Sequence, residues 1–160
     1  MCIRHPSSGR SRRCAWGGPT TTANALQASS LEGVRLILVR HAKAASGEPD
    51  ESRPLTPEGR EVAQALGVQL GAMRPDAVIS SPLLRARETA APIAAGAGIE
   101  PEIDERLSPG ATLSEIRAVV DGRGEIVVVV GHQPDLSTIV YELTGADVPF
   151  RPGAFAEVAL

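Results

Sequence analysis

A chain of 160 residues has room for one domain, and its 42% of hydrophobic residues are enough to form a core. Aromatic residues make up only 2%, so this core must be built from Val, Leu, Ile and Ala. The formal net charge of −3 argues against a general nucleic-acid-binding protein, and no apolar run approaches the roughly 20 residues of a membrane-spanning helix.

The first part of the chain, residues 1–33, differs in composition from the rest. It is rich in Ser, Thr, Gly and Arg, and its only acidic residue is Glu32. The absence of a periodic apolar pattern predicts a disordered basic leader, although an Arg- and Ser-rich composition is also typical of an organelle transit peptide. Both cysteines, Cys2 and Cys14, fall in this leader, so we expect neither a disulfide nor a thiol nucleophile in the domain that residues 34–160 form.

The domain begins with residues 34–43, VRLILVRHAK. Its run of Val, Leu and Ile is typical of a strand buried on both faces of a parallel sheet. The run stops at Arg40 and His41, and the carboxyl end of such a strand is where open α/β sheets hold their ligands. A guanidinium can hold two phosphate oxygens and an imidazole can attack phosphorus, so this pair suits a phosphoryl group.

A helix is predicted after the polar loop that follows this strand. Thr56 is a favourable N-cap and Pro57 suits the first helical position. A short strand at 77–80 and a second helix from 83 to about 95 come next. We expect Pro92 to kink or shorten this second helix, because proline removes one of its hydrogen bonds.

The second half of the chain continues to alternate, with predicted elements at 99–103 (a weak strand), 112–120 (helix), 125–130 (strand), 134–143 (helix) and 155–160 (strand). Thr112 and Glu115 have the spacing of a capping box. Strands that alternate with helices of about ten residues imply right-handed crossovers. The sequence therefore predicts an α/β fold, a three-layer α/β/α sandwich with a mostly parallel central sheet.

Two of the three histidines follow the two strongest strands. Because the carboxyl ends of parallel strands lie at one edge of a sheet, His41 and His132 are expected to converge there. The segment 80–90 also follows a strand, and an arginine near the start of its helix would face the same edge. The helix start adds backbone N–H groups and a partial positive charge.

Three segments resemble the signatures of the histidine phosphatase superfamily: RHA at 40–42, SSPLLRARETA at 80–90 and GHQPD at 131–135. The resemblance covers residues 34–160 and implies a phosphoglycerate mutase-like fold. The segments SRPLTPEG at 52–59 and LSPG at 107–110 are similar to the small phosphohistidine phosphatase branch, the SixA type. The mutase-like branches carry a longer insertion with an extra glutamate, for which this chain has no room.

The resemblance implies a role for each of four residues. His41 would be the nucleophile that is transiently phosphorylated, and Arg40 and Arg85 would hold the phosphoryl oxygens. His132 would donate to one of these oxygens as charge shifts. For His41 to attack, one ring nitrogen must be free, and we expect a backbone carbonyl to hold the other.

Further residues have weaker assignments. Arg53 aligns with an arginine of the small branch that contacts the substrate, and either Asp50 or Glu51 would protonate the leaving nitrogen. An ordinary loop carboxylate is the alternative for Asp50, because acidic residues suit exposed turns. Arg87 is interpreted as a solvated helix residue. Ala42 stands where the family has glycine, which would crowd a backbone approach to phosphate.

The resemblance implies a phosphohistidine phosphatase that acts on a histidine-phosphorylated protein through a covalent phosphohistidine intermediate. Two alternatives stay open: the same chemistry on a small phosphoester such as a sugar phosphate, and a non-catalytic phosphate-binding module. We expect no cofactor and no metal, because the arginines already supply positive charge. We also expect a cytoplasmic monomer with no nucleic-acid or membrane partner.

Overall fold

The computed structural model describes residues 33–160, so the predicted leader and its alternative, a transit peptide, lie outside the described residues. The strands are β1 (Arg35–Arg40), β2 (Ala77–Ser80), β3 (Glu102–Ile103), β4 (Ile126–Gly131) and β5 (Phe155–Ala159). The helices are α1 (Pro57–Gly71), α2 (Leu84–Ala97), α3 (Leu113–Val120) and α4 (Asp135–Thr144). No helix among these is long and apolar enough to cross a membrane.

The five strands form one sheet in the order β3-β2-β4-β1-β5. β4 pairs in parallel with both β1 and β2, β3 is parallel to β2, and β5 closes the other edge antiparallel to β1. The predicted mostly parallel sheet is confirmed. Its register aligns Arg40 with Gly131 and Ser80 with Val130, so β1, β2 and β4 end at one edge.

The sheet is buried on both faces, as the continuous apolar runs predict. Leu36 and Leu38 of β1 pack with α3 and α4, whereas Ile37 and Val39 pack with α1 and α2. All four side chains are fully buried. Alternate residues of one strand therefore supply two separate aliphatic cores, and the predicted three-layer sandwich is confirmed.

Local signals correctly placed the starts of α1 and α3 and the end of α4. Thr56 caps α1 and accepts a hydrogen bond from the Gly59 N–H, 3.0 Å away. Thr112 and Glu115 form the predicted capping box at the start of α3. Gly145 ends α4 with a φ of 74°, a left-handed conformation that glycine adopts without strain.

Two predicted elements differ from the structure. Pro92 does not shorten α2, which continues to Ala97. Close packing outweighs the lost hydrogen bond, since a Cβ on Gly67 of α1 would lie 2.6 Å from the Pro92 carbonyl oxygen. The weak strand at 99–103 is reduced to two exposed residues, Glu102–Ile103, because Pro101 has no N–H to donate to the sheet.

Candidate active site

The register of the sheet brings the two predicted histidines together. Arg40 is paired with Gly131, so the residues that follow them, His41 and His132, lie side by side. Their ring centroids are 5.2 Å apart with the planes inclined at 55°. The backbone continues the pairing, because the His41 N–H donates to the Gly131 carbonyl at 3.2 Å. Two residues that are far apart in sequence thus form one site.

The His41 imidazole is held by the backbone, as the sequence predicts. Its Nδ1 lies 2.7 Å from the Ala42 carbonyl oxygen. A carbonyl only accepts hydrogen bonds, so this contact assigns the proton of the neutral ring to Nδ1 and leaves the lone pair on Nε2. The Ala42 N–H in turn donates to Thr89 Oγ1 at 3.0 Å, and the Thr89 hydroxyl donates to the Arg85 carbonyl at 2.7 Å. Helix α2 therefore fixes the loop that carries His41.

The alanine at position 42 has a place in the apolar interior. Ala42 is fully buried and packs with Leu55 and Ala63 in a small cluster between the loop and α1. The methyl group that distinguishes it from the family's glycine thus makes apolar contacts inside the protein.

Two predicted arginines border the histidine pair. Arg40 ends β1, and its Nη1 donates to the Phe150 carbonyl at 2.7 Å. Arg85, the second residue of α2, is only 6% exposed. Its Nη1 donates to the Asp50 carbonyl at 2.8 Å and its Nη2 to Asp50 Oδ2 at 3.0 Å. Both guanidinium groups are therefore positioned by protein oxygens rather than left to solvent.

The loop after β1 supplies the remaining predicted residues. Asp50 lies in a single turn of 3-10 helix and bridges two arginines, since Arg53 Nη1 contacts its Oδ1 at 2.6 Å. Arg53 Nε is anchored to the Ala45 carbonyl at 2.8 Å. The hydrogen bonds from Arg53 and Arg85 lower the pKa of Asp50, which argues against Asp50 as the proton donor to a leaving group. Glu51 is exposed in the same turn, and no contact of its side chain tests its predicted role.

His132 is the most enclosed member of the site, at 4% exposed. Its Nε2 lies 2.7 Å from the Ser81 hydroxyl oxygen. Within residues 33–160, the buried side-chain nitrogens and oxygens that have no hydrogen-bond partner are His132 Nδ1 and Arg40 Nε. Buried polar atoms are nearly always paired in folded proteins, so two unpaired nitrogens at one site indicate a place for a ligand with acceptor atoms.

Sequence reasoning missed two side chains that support the site. Ser81 and Thr89 both lie in the segment 80–90 that the sequence singles out, but neither was given a role. Ser81 follows β2 at the edge where the histidines lie, so the argument that located His41 and His132 could have found it. Nothing local indicates the contact of Thr89, which depends on how α2 packs against the loop.

Both imidazoles are neutral at pH 7. Burial lowers the pKa of His41 to about 4, and the charges of Arg85, Arg40 and Arg53 act in the same direction against the Ala42 hydrogen bond. Burial also lowers the pKa of His132 to about 4, with further contributions from His41 and Arg85. A neutral His41 keeps its lone pair available for attack.

These pKa values predict how stability depends on pH. The unfolded imidazoles bind protons below about pH 6.5 while the folded ones stay neutral down to about pH 4, so stability falls as pH falls through this window. Because solvent partly screens these groups, we expect the free energy of unfolding to fall by about 1 to 2 kcal/mol per imidazole between pH 7 and pH 5. Urea unfolding at both pH values measures it.

The double variant His41→Ala/His132→Ala is the matched control for this prediction. The carboxyl groups with lowered pKa values, such as Asp50, Asp104 and Glu115, also lose part of their stabilising contribution as pH falls toward their ordinary pKa of about 4. They are present in both proteins, so the difference between the unaltered protein and the double variant isolates the imidazoles. An equal loss of stability in the double variant would contradict the assignment.

Other surfaces of the domain show no comparable chemistry. A groove of about 590 Å³ lies between α1 and α2, and none of the predicted site residues line it. Arg87 is exposed on α2, in agreement with its interpretation as a solvated residue. Across residues 33–160, no cluster of three or more His, Cys, Asp or Glu side chains is arranged to hold a metal ion.

The chain is similar in sequence to known proteins. Residues 36–108 match the model of the histidine phosphatase superfamily (branch 1). An uncharacterized protein of Picosynechococcus sp. (strain PCC 7002) is 39% identical over 116 residues, which cover 64% of this chain and 68% of that protein.

Solved structures extend the similarity to 79% of the chain. The protein histidine phosphatase SixA in complex with tungstate has a TM-score of 0.70 at 25% identity, over 79% of this chain and 88% of that one. A candidate phosphohistidine phosphatase SixA from Agrobacterium tumefaciens has a TM-score of 0.68 at 25% identity, over 79% of this chain and 91% of that one. A mycobacterial glucosyl-3-phosphoglycerate phosphatase shares the fold, with a TM-score of 0.57 at 19% identity. The similarity covers 71% of this chain and 80% of that one.

Proposed function

The chain belongs to the histidine phosphatase superfamily and to its small SixA-type branch, and we propose that it removes phosphate from a histidine-phosphorylated protein. In this proposal His41 carries the phosphoryl group as a covalent intermediate, without a metal ion. Arg40 and Arg85 bind the phosphoryl oxygens, and His132 donates a hydrogen bond to one of them.

One observation carries the proposal: two buried nitrogens that have no partner among residues 33–160, Arg40 Nε and His132 Nδ1, belong to the residues beside His41, whose imidazole has a free lone pair. Phosphoryl transfer proceeds through a loose transition state whose charge is spread over three oxygens, so catalysis depends mainly on positioning and electrostatics. A phosphoryl group would give both nitrogens an acceptor while its phosphorus faces His41.

The reaction needs two displacements at phosphorus. In the first, His41 Nε2 forms a bond to phosphorus while the bond from phosphorus to the substrate nitrogen breaks, and the departing imidazole takes up a proton from water, which the attacking water of the second step returns. In the second, water attacks phosphorus, the bond to His41 breaks and inorganic phosphate leaves. Because the neutral state of His41 is favoured, its nitrogen is ready for the first step and a good leaving group in the second.

The chemistry of the leaving group is the reason for proposing a phosphohistidine, and not a phosphoester, as the substrate. A departing imidazole has a pKa of about 6.5 and is far less basic than an alkoxide, so it needs little help from an acid. Asp50, held ionised between two arginines, is poorly suited to give that help. The loop that carries it adds one short turn above the site, Asp50–Ser52, which would leave access for a protein loop.

A substrate comparison tests the proposal. The protein would be given a phosphohistidine carrier protein, p-nitrophenyl phosphate and a set of sugar phosphates, with His41→Ala as the control for contaminating activity. We expect kcat/KM for the carrier to exceed that for the esters by about 10²-fold or more. A preference for a sugar phosphate would replace the proposal with its first alternative. Binding of phosphate without any turnover would replace it with a phosphate-binding module.

Activity is expected to persist when metal ions are removed. Arg40 and Arg85 already supply two positive charges at the site, which is the contribution that a metal ion makes in other phosphatases. The rate with the phosphohistidine carrier would be measured in excess EDTA and after dialysis, with a metal-dependent phosphatase as a positive control. A large loss that Mg²⁺ or Mn²⁺ restores would contradict the four-residue mechanism.

A further inference from the structure

We propose that Ser81 is a positioning residue that fixes the tautomer of His132, so that its neutral imidazole carries hydrogen on Nδ1 and can donate to a phosphoryl oxygen. The inference rests on the proposed function only in naming a phosphoryl oxygen as the acceptor. The tautomer of His132 is a property of the protein without a ligand and can be measured there. Ser81 is fully buried directly after β2, and its hydroxyl oxygen lies 2.7 Å from His132 Nε2.

The direction of this hydrogen bond follows from the other contact of Ser81. The Leu83 N–H points to Ser81 Oγ at 3.3 Å, so the hydroxyl oxygen already accepts one hydrogen bond. The Leu83 N–H can only donate, so among the contacts of this hydroxyl within residues 33–160 His132 Nε2 is the one that can accept its proton. A buried hydroxyl proton is nearly always hydrogen-bonded, which makes that nitrogen the acceptor. A neutral ring has one proton, and it must then lie on Nδ1.

This tautomer makes the unpaired His132 nitrogen, Nδ1, a hydrogen-bond donor that can bind a ligand. His132 Nδ1 is buried and has no partner among the residues that the structure describes, and the ring lies beside that of His41. With the opposite tautomer, Nδ1 would present a lone pair to a negatively charged phosphoryl oxygen and repel it. Ser81 would thus convert an uncharged imidazole into a hydrogen-bond donor without the need for protonation.

The first test reads the tautomer directly. Nitrogen chemical shifts of the His132 ring, in protein labelled with ¹⁵N histidine and assigned with His132→Gln, distinguish hydrogen on Nδ1 from hydrogen on Nε2. We expect the Nδ1–H form in the unaltered protein at pH 7 and a shift toward the Nε2–H form in Ser81→Ala. An Nε2–H form in the unaltered protein would overturn the proposal, whether or not the protein proves to be a phosphatase.

Kinetics with a matched control provide the second test. Ser80→Ala removes the neighbouring buried hydroxyl, whose bond goes to the Ser81 carbonyl and not to a histidine. We expect Ser81→Ala to lower kcat about tenfold to a hundredfold and Ser80→Ala to change it less than about threefold. In a His132→Ala background, Ser81→Ala should add little further loss, because its effect passes through the imidazole. Equal losses in the two serine variants, or full additivity with His132→Ala, would show that Ser81 only supports the fold.

Discussion

Replacing His41 with alanine is expected to abolish the phosphoenzyme and to lower turnover of a phosphohistidine carrier by about 10³-fold or more. The reason is the geometry of the ring, whose Nδ1 is bound to the Ala42 carbonyl and whose Nε2 therefore holds the lone pair. No other group at the site combines a free lone pair with this backbone support. The measurement is a rapid-quench experiment in which acid-labile, base-stable phosphate is located by mass spectrometry on the peptide that contains His41.

His132→Ala is the matched comparison, because both imidazoles are neutral and lie at the same edge of the sheet. It removes a donor to the phosphoryl group but leaves the nucleophile, so we expect turnover to fall by about 10²-fold while weak labelling persists. Thermal unfolding and circular dichroism would establish that both variants fold. Label on the His132 peptide, or label that survives His41→Ala, would mean that the two roles are reversed.

The sequence predicted the features that depend on local composition and on general rules of sheet topology. The apolar runs before Arg40 and Gly131 have the pattern of doubly buried strands, and parallel pairing then requires His41 and His132 to meet at one edge. Thr56 could be identified as a helix cap because capping involves only neighbouring residues.

Features that depend on contacts between distant segments could not be predicted in this way. Pro92 was expected to kink or shorten α2, but the helix continues to Ala97, where the close approach of α1 at Gly67 stabilises it. The position of Arg85 depends on Asp50, which is 35 residues earlier in the chain. Sequence spacing carries no information about which carboxylate a guanidinium contacts. It also does not indicate that Ser81 forms a hydrogen bond with His132.

The contacts of Arg85 show why its shape matters as well as its charge. Its two terminal nitrogens reach a carbonyl oxygen and a carboxylate oxygen of the same residue, Asp50, at 2.8 and 3.0 Å. A guanidinium can make such a pair of contacts because its N–H groups form a rigid planar fork, whereas a lysine ammonium cannot. The arginine is also nearly fully buried, so a shorter or differently shaped side chain has little freedom to adjust.

We therefore expect Arg85→Lys, which keeps the positive charge, to lower kcat/KM for the phosphohistidine carrier by about 10²-fold and to weaken binding of inorganic phosphate by about tenfold or more. The variant should still fold, because Asp50 keeps its ion pair with Arg53 at 2.6 Å and no carboxylate loses every partner. Arg87→Lys, on the exposed side of the same helix, is the matched control and should change neither quantity by more than about twofold. Steady-state kinetics and calorimetric titration with phosphate would measure both effects. Comparable losses in the two variants, or full activity in Arg85→Lys, would remove Arg85 from the proposed phosphoryl-binding group.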